Sequence, residues 1–245
     1  MKWYGFLLQG VLVASLVWFV WRVVSLFRGA QHVAAEEKAR DAALRSHQFQ
    51  DRLQRVLEKH SLTGDEWQQH LASRKITASA KSLDMEIAEA ARLFNVSSEW
   101  LDHTDGDVYP QTDLYNAPEA VRSFLDLLAK GEGPQLWVFK PAGVAVTVQA
   151  YEAFLLLVGV TQGRMGDRVY SRMGPVHVYW EWGFPPTRQQ CTALLQMAVE
   201  LGIPLIGYEA AAVDLNKILD NQFLLQEFLS GDLQPTWNPS ESLLD

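Results

Sequence analysis

The apolar pattern is densest at the start of the sequence. No residue between Phe6 and Trp21 is charged, and after Arg22 the apolar run continues to Phe27. A helix from Phe6 to Phe27 would be about 33 Å long at 1.5 Å per residue. That length crosses a hydrocarbon core roughly 30 Å thick. The pattern therefore predicts an N-terminal transmembrane helix, with residues 1–29 as the anchor. The alternative is a cleaved signal peptide, whose apolar core is usually shorter.

The basic residues around this segment predict its orientation. Lys2 precedes the apolar run, whereas Arg22, Arg28, Lys38, Arg40 and Arg45 lie at its end or beyond it. Because cytoplasmic flanks carry the excess of Lys and Arg, the body of the chain is expected in the cytoplasm. The expectation is a bacterial single-pass protein of the inner (cytoplasmic) membrane, with the lipid bilayer as a partner. The single cysteine, Cys191, suits a reducing compartment.

A helical period follows the apolar segment. Residues 30–59 contain no Gly or Pro and are rich in helix formers, which predicts a juxtamembrane helix, either pairing with another helix or standing as a solvated stalk. Residues 60–106 predict a module of short helices. Thr63 and Glu66 have the spacing of a capping box, and the apolar positions after Ser82 recur at helical spacing.

The period changes after a polar stretch. Residues 104–116, rich in Asp, Gly, Pro and Thr, predict a linker. Beyond it come an amphipathic helix, about five strand-like runs, a helix, a short strand and a last helix. This order predicts an α+β domain over residues 117–232, with a mostly antiparallel sheet and helices on one face. Residues 233–245 are expected to form a flexible tail.

Composition limits the chemistry that the chain can carry. The net charge of −8 disfavours tight DNA binding by the whole molecule. A lone cysteine and scattered histidines give no metal signature. The sequence has no phosphate loop, no dinucleotide fingerprint and no nucleophile elbow. We therefore expect no catalytic residues, no metal, no cofactor and no enzymatic activity.

One stretch resembles a known family. The run Ile87 to Leu101, IAEAARLFNVSSEWL, followed by Asp105-Gly106, is similar to the closing signature of the lambda-repressor-like (Cro-like, XRE) helix-turn-helix family. The resemblance covers residues 51–106. In the register that fits the length, Thr63 to Lys75 resembles the recognition helix and the preceding helix supplies the first. In the other register, Arg52 to Thr63 is the first helix and the motif is short.

The resemblance implies binding to DNA. Gln68 and Gln69 would read adenine edges in a major groove, and Arg74, Lys75 and Lys81 would hold phosphates. The alternative for the two glutamines is a solvated helix face. From Asp51 to Leu101 there are seven basic and eight acidic residues, a net charge of −1. Because phosphate neutralisation dominates DNA affinity, a single copy is expected to bind weakly.

Strand alternation predicts a second candidate site in the C-terminal domain. Val178, Trp180 and Trp182 share one face of a strand and are expected in the core. The opposite face and the neighbouring strand carry a polar patch, which would bind a ligand unless it is simply an exposed sheet face. Its members are Arg168, Tyr170, Arg172, His177, Tyr179 and Glu181.

Two hypotheses of function follow from these patterns. The first is a membrane-tethered regulator with a repressor-like helix-turn-helix that binds DNA weakly and a C-terminal sensing or interaction domain. The alternative is a membrane-anchored protein-interaction scaffold whose helix-turn-helix no longer binds DNA. The partners expected besides lipid are DNA, a protein and a second copy of the chain as a homodimer. Charge favours the scaffold, whereas the usual role of the fold favours the regulator.

Overall fold

The computed structural model describes residues 4–76, 82–103, 106–147, 149, 152–228 and 234–243; the side chains of residues 4–20 and 23–32 lie outside this description. The chain divides into two compact units, Met1–His47 and Gln48–Asp245. In chain order the elements are α1 (Tyr4–Lys59), α2 (Gly64–Ser73), α3 (Ser82–Phe94), α4 (Ser98–Asp102), α5 (Pro118–Ala129), β1 (Glu132–Pro141), β2 (Phe154–Met165), β3 (Arg168–Glu181), α6 (Pro185–Glu200), β4 (Leu205–Ala210), α7 (Ala212–Leu219), α8 (Leu225–Phe228) and α9 (Pro239–Leu243).

The first unit consists of the N-terminal part of α1. The side chains of residues 33–44 are all exposed, as in a solvated helix. Among the described residues, no helix is long and apolar enough to cross a membrane. This finding corrects the predicted transmembrane anchor over residues 1–29, together with the single-pass inner-membrane localisation and the bilayer partner. Most side chains of the predicted span lie outside the described residues.

The second unit is built on a four-stranded sheet in the order β3-β2-β1-β4. Strands β1, β2 and β3 pair antiparallel, whereas β4 pairs parallel to β1. The sheet is therefore mixed, which corrects the mostly antiparallel sheet expected from the sequence. Helix α6 lies between β3 and β4 in the chain, and a connection of this kind lets β4 run parallel to β1. Where the sequence predicted about five strand-like runs after α5, the described residues form three strands before α6, because residues 168–181 are one continuous strand and residues 144–147 are not a strand.

Both faces of the sheet are covered. Along β1, Leu136 and Val138 lie in a core shared with α5 and α6, while Trp137 and Phe139 contact a second core formed with the end of α1, α2, α3 and α4. The central strand β2 is buried from Phe154 to Val160, as expected of a strand packed on both sides. This corrects the prediction of helices on one face. The apolar face of the short helices packs against the sheet and has no separate core.

The segment predicted as a linker is fixed to α7. Asn221 has a left-handed backbone (φ 53°) two residues beyond the end of α7. Its side-chain amide accepts from Tyr109 N at 2.9 Å and donates to Tyr109 O at 2.8 Å, and its backbone carbonyl accepts from Val108 N. Val108 and Tyr109 are buried. Residues of the predicted module and of the predicted α+β domain thus lie in one compact unit.

The end of the chain packs on the outer edge of β4, where the sequence predicted a flexible tail. Thr236 N donates to Gly207 O at 2.9 Å, and Trp237 Nε1 donates to Tyr208 O at 3.1 Å. Pro239 and Leu243 are buried. The segment 234–243 therefore covers a strand edge that would otherwise present unpaired backbone groups.

We predict that Gly207→Ala opens this covered edge. A Cβ at Gly207 would lie 2.4 Å from the backbone oxygen of Trp237, which is too close for any real contact. The backbone must shift, and we expect a loss of about 1 kcal/mol together with faster proteolysis of residues 234–243. Gly64→Ala is the control, because nothing lies within 4 Å of its added Cβ. Unchanged proteolysis of Gly207→Ala would show that the edge contact does not hold the segment.

Candidate functional site

Helix α2 begins with the capping box that the sequence predicted. Thr63 Oγ1 accepts from Glu66 N at 3.2 Å, and the Glu66 carboxylate accepts from Thr63 N at 2.8 Å. Trp67 and Leu71 are buried, whereas Gln68 and Gln69 are exposed. Both glutamines are thus accessible to solvent. This exposure fits contacts with DNA bases and fits a plain solvated helix face equally well.

Of the three predicted phosphate contacts, the structure describes Arg74 and Lys75. Arg74 Nε lies 3.4 Å from the carboxylate of Glu89. Lys75 has a left-handed backbone (φ 59°) in the turn after α2. Lys81 lies outside the described residues. Arg74, the arginine among the predicted phosphate contacts, therefore lies beside the carboxylate of Glu89.

Glu89 on α3 is the centre of a charged cluster. Arg92 donates two hydrogen bonds to its carboxylate, at 2.9 and 2.7 Å, and His70 Nε2 lies 2.7 Å from it. The Arg92 hydrogen bonds, followed by that from His70 and the charges of Arg92 and Arg74, outweigh burial and lower the pKa of Glu89 to about 2. The carboxylate is thus ionised at neutral pH and forms ion pairs with Arg92 and Arg74.

The N-terminal end of α2 is paired with the sheet. Arg168, the first residue of β3, donates from Nε to Glu66 at 3.0 Å. The hydrogen bond from Thr63 N and that from Arg168 both lower the pKa of Glu66. In helix-turn-helix proteins the N-terminal residues of the recognition helix contact the base edges. The N-terminal end of α2 carries Asp65 and Glu66, and Glu66 accepts a hydrogen bond from Arg168 of β3.

An aromatic core lies beneath α2 and α3. The ring of Phe94 lies 5.1 Å from His60, 6.2 Å from Trp67 and 5.4 Å from Tyr170. Tyr170 also donates from its hydroxyl to Leu93 O at 3.2 Å. Burial lowers the pKa of His60 to about 4. Tyr170, predicted to bind a ligand, is thus a core residue that joins α3 to the sheet.

The remaining residues of the predicted ligand patch are dispersed. Arg172 donates from Nη2 to Arg92 O at 2.8 Å. Burial lowers the pKa of His177, against a smaller opposite effect of Asp107. Tyr179 stacks on Phe154 at 4.5 Å. The half-buried Glu181 ends β3 and accepts from Thr187 through its backbone oxygen.

Strand β3 contains a β-bulge. Three residues of β2, Leu155 to Leu157, lie opposite five residues of β3, Val176 to Trp180. Tyr170 and Val176, on one side of this bulge, lie in different cores although both have even numbers. The predicted burial of Val178, Trp180 and Trp182 is confirmed.

Two of the cavities that described residues line adjoin α2 and α5. One, of about 470 Å³, lies between the end of α1 and α2 and is lined by Leu53, Leu57, Leu62 and Trp67, with Glu58, Asp65 and Gln68 among its polar residues. The other, of about 490 Å³, lies beside α5 and is lined by Arg172, Phe124, Leu127, Leu128, Thr161 and two glycines among others. We call them the α1–α2 groove and the α5 cavity.

Glu89 is the residue that the sequence analysis missed. The spacing of Glu89 and Arg92 indicated an ion pair, because residues three apart on a helix are neighbours. The spacing of His70 and Arg74 likewise placed two basic side chains four positions apart at the end of α2. The packing of α2 on α3 brings these two pairs of residues together, and it could not be predicted from the spacing alone.

Comparisons with known proteins do not assign the chain to a family. No family model, no curated protein and no solved structure matches the chain. The resemblance of residues 51–106 to repressor-like proteins therefore stays a prediction. Among the described residues, no group of three or more His, Cys, Asp or Glu side chains could hold a metal ion.

Proposed function

We propose that the compact unit Gln48–Asp245 is a protein-interaction module, and that it docks a basic amphipathic helix in the α1–α2 groove instead of reading DNA with α2. The observation that carries the proposal is the character of this groove. Its floor is formed by leucine side chains and Trp67, and its rim carries Glu58 and Asp65. An apolar floor with a polar rim is the usual anatomy of a protein interface.

The charge of the groove favours a basic partner over nucleic acid. Among the described residues that line it, two are acidic and none is Lys or Arg. DNA carries a dense negative charge and binds surfaces that neutralise it. A helix with apolar anchors and flanking cations would instead match both the floor and the rim.

Photo-crosslinking in cells tests the docking half of the proposal. A photoreactive phenylalanine at Gln68, on the rim, is expected to trap a protein, whereas the same residue at Arg122 on α5 is not. Reversing the rim charge with Glu58→Lys and Asp65→Lys should reduce the Gln68 adduct at least tenfold, and the trapped segment should be basic and helical. An adduct that is insensitive to rim charge would contradict the proposal.

DNA binding by the full chain is the test that separates the module from a regulator. We expect no salt-dependent binding to duplex DNA even at 50 mM salt, and no change with Arg74→Ala. If Arg74 instead contacts a phosphate, Arg74→Ala would flatten the slope of log affinity against log salt by about 0.9. Arg122→Ala is the matched control, an exposed arginine outside the motif that pairs with Asp126.

A further inference from the structure

We propose that the α5 cavity binds a small organic carboxylate with an apolar body. This site is separate from the α1–α2 groove, and the inference does not rest on the proposed function. The cavity lies where α5, the sheet and the segment after α4 meet, with Asn95, Phe124 and Arg172 among its lining residues. A ligand there would contact both the short-helix half and the sheet half of the compact unit.

The size and lining of the cavity suit a small molecule. Its volume of about 490 Å³ lies within the usual range for such sites, which are mostly apolar with a few placed polar groups. Phe124, Leu127 and Leu128 provide apolar wall, and Leu127 is 72% exposed although it is a large apolar side chain. Ser123 and Thr161 add hydroxyl groups.

Two glycines let lining side chains pack directly on the sheet. A Cβ at Gly159 would lie 2.9 Å from Phe124 Cζ, and one at Gly174 would lie 2.5 Å from Asn95 Nδ2. Asn95 uses this close approach to donate from Nδ2 to Met173 O at 3.1 Å. Phe124 and Asn95 are thus held against the backbone of β2 and β3 at the cavity.

Arg172 determines the chemistry of the ligand. Among the described residues that line the cavity it is the only charged one. Its Nη2 donates to Arg92 O, but its Nε is buried without an acceptor, and no described carboxylate forms an ion pair with it. Arg172 is half-buried, and a cation that is partly removed from water is stabilised when an anion and further hydrogen bonds compensate it. The planar guanidinium fork matches a carboxylate with two parallel hydrogen bonds.

A single cation in a mostly apolar site points to a singly charged ligand. Inorganic phosphate carries more charge than Arg172 alone neutralises and leaves the apolar wall uncovered. A carboxylate with a short alkyl or aryl body places its charge at Arg172 and its body against Phe124 and Leu127. Octanoate and 4-phenylbutyrate represent the two body shapes, and octanamide is the neutral counterpart of octanoate.

Calorimetric titration of the full chain with these probes tests the site. We expect octanoate or 4-phenylbutyrate to bind with 1:1 stoichiometry, and octanamide and inorganic phosphate to bind at least tenfold more weakly. Arg172→Gln should weaken carboxylate binding roughly 10- to 100-fold, as expected for a hydrogen-bonded charge pair. Arg122→Gln, which removes an exposed arginine of α5 outside the cavity, should leave the affinity unchanged.

A second variant keeps the test decisive if Arg172→Gln folds poorly. Ala120→Trp fills the cavity from the half-buried lining position of α5 and should abolish binding while circular dichroism stays unchanged. The proposal is overturned if neither carboxylate binds at 5 mM, if octanamide binds as tightly as octanoate, or if Ala120→Trp retains full affinity.

Discussion

Phe94→Ala is expected to lower the free energy of unfolding of the compact unit by about 3–5 kcal/mol, the usual cost of removing a buried aromatic side chain. Phe94 is 1% exposed. Its ring contacts those of His60, Trp67 and Tyr170, which belong to three different parts of the unit. The cavity left by the ring would therefore weaken the contacts of α3 with the end of α1, with α2 and with the sheet together.

Urea unfolding followed by tryptophan fluorescence and by circular dichroism measures this loss. Because the short helices and the sheet share one core, both probes should shift together in a single transition. Met85→Ala, on the same helix but 51% exposed, should change stability by less than about 0.5 kcal/mol. Two separate transitions, with only the helical one shifted by Phe94→Ala, would mean that the short helices fold as an independent domain.

Much of the fold could be predicted from local patterns in the sequence. The capping box at Thr63 and the amphipathic helix after Pro118 were readable because each depends on residues a few positions apart. The strand β2 was also predicted from its continuous apolar run, and the structure shows it buried from Phe154 to Val160. The prediction of helices on one face failed because a short amphipathic helix packs equally well on another helix or on a sheet.

Long-range geometry could not be predicted in the same way. The parallel position of β4 depends on the path of the chain through α6, and nothing in the six residues of β4 encodes its neighbour. The bond between Glu66 and Arg168 joins residues 102 positions apart. Tyr170 is separated from the rest of the predicted ligand patch for a related reason, since it packs against His60 and Phe94, which lie far from it in the sequence.

In the candidate sites, too, local features could be predicted and long-range contacts could not. Exposure of Gln68 and Gln69 followed from helix period, but the ion pair of Arg74 with Glu89 depends on the packing of α2 on α3. The α5 cavity was not foreseen, because its wall combines residues from α5, β2, β3 and the segment after α4. Only Arg172 among the six patch residues lines it.

Acidification from pH 7.5 to pH 5 is expected to remove about 2 kcal/mol of stability through His60. Burial lowers the pKa of His60 from 6.5 to about 4. Between these values the unfolded chain binds a proton that the folded chain does not, so stability falls as the pH falls through this window. The neutral ring is also held by Gln226, whose Nε2 lies 3.3 Å from His60 Nε2 and whose Oε1 accepts from Tyr109.

Urea unfolding at both pH values, on the chain and on His60→Phe, measures this contribution. The phenylalanine variant should lose most of the pH dependence, since it keeps an aromatic ring against Phe94 and Tyr170 but cannot be protonated. A smaller dependence of the same sign should remain from His177, whose pKa burial also lowers. Glu89 does not interfere, because its depressed pKa of about 2 places its contribution at more acidic pH.

His103→Gln is the control, since the side chain of His103 is 67% exposed and its replacement should leave the pH dependence intact. An equal loss of stability in His60→Phe and in the parent chain would show that His60 is accessible to protons in the folded state.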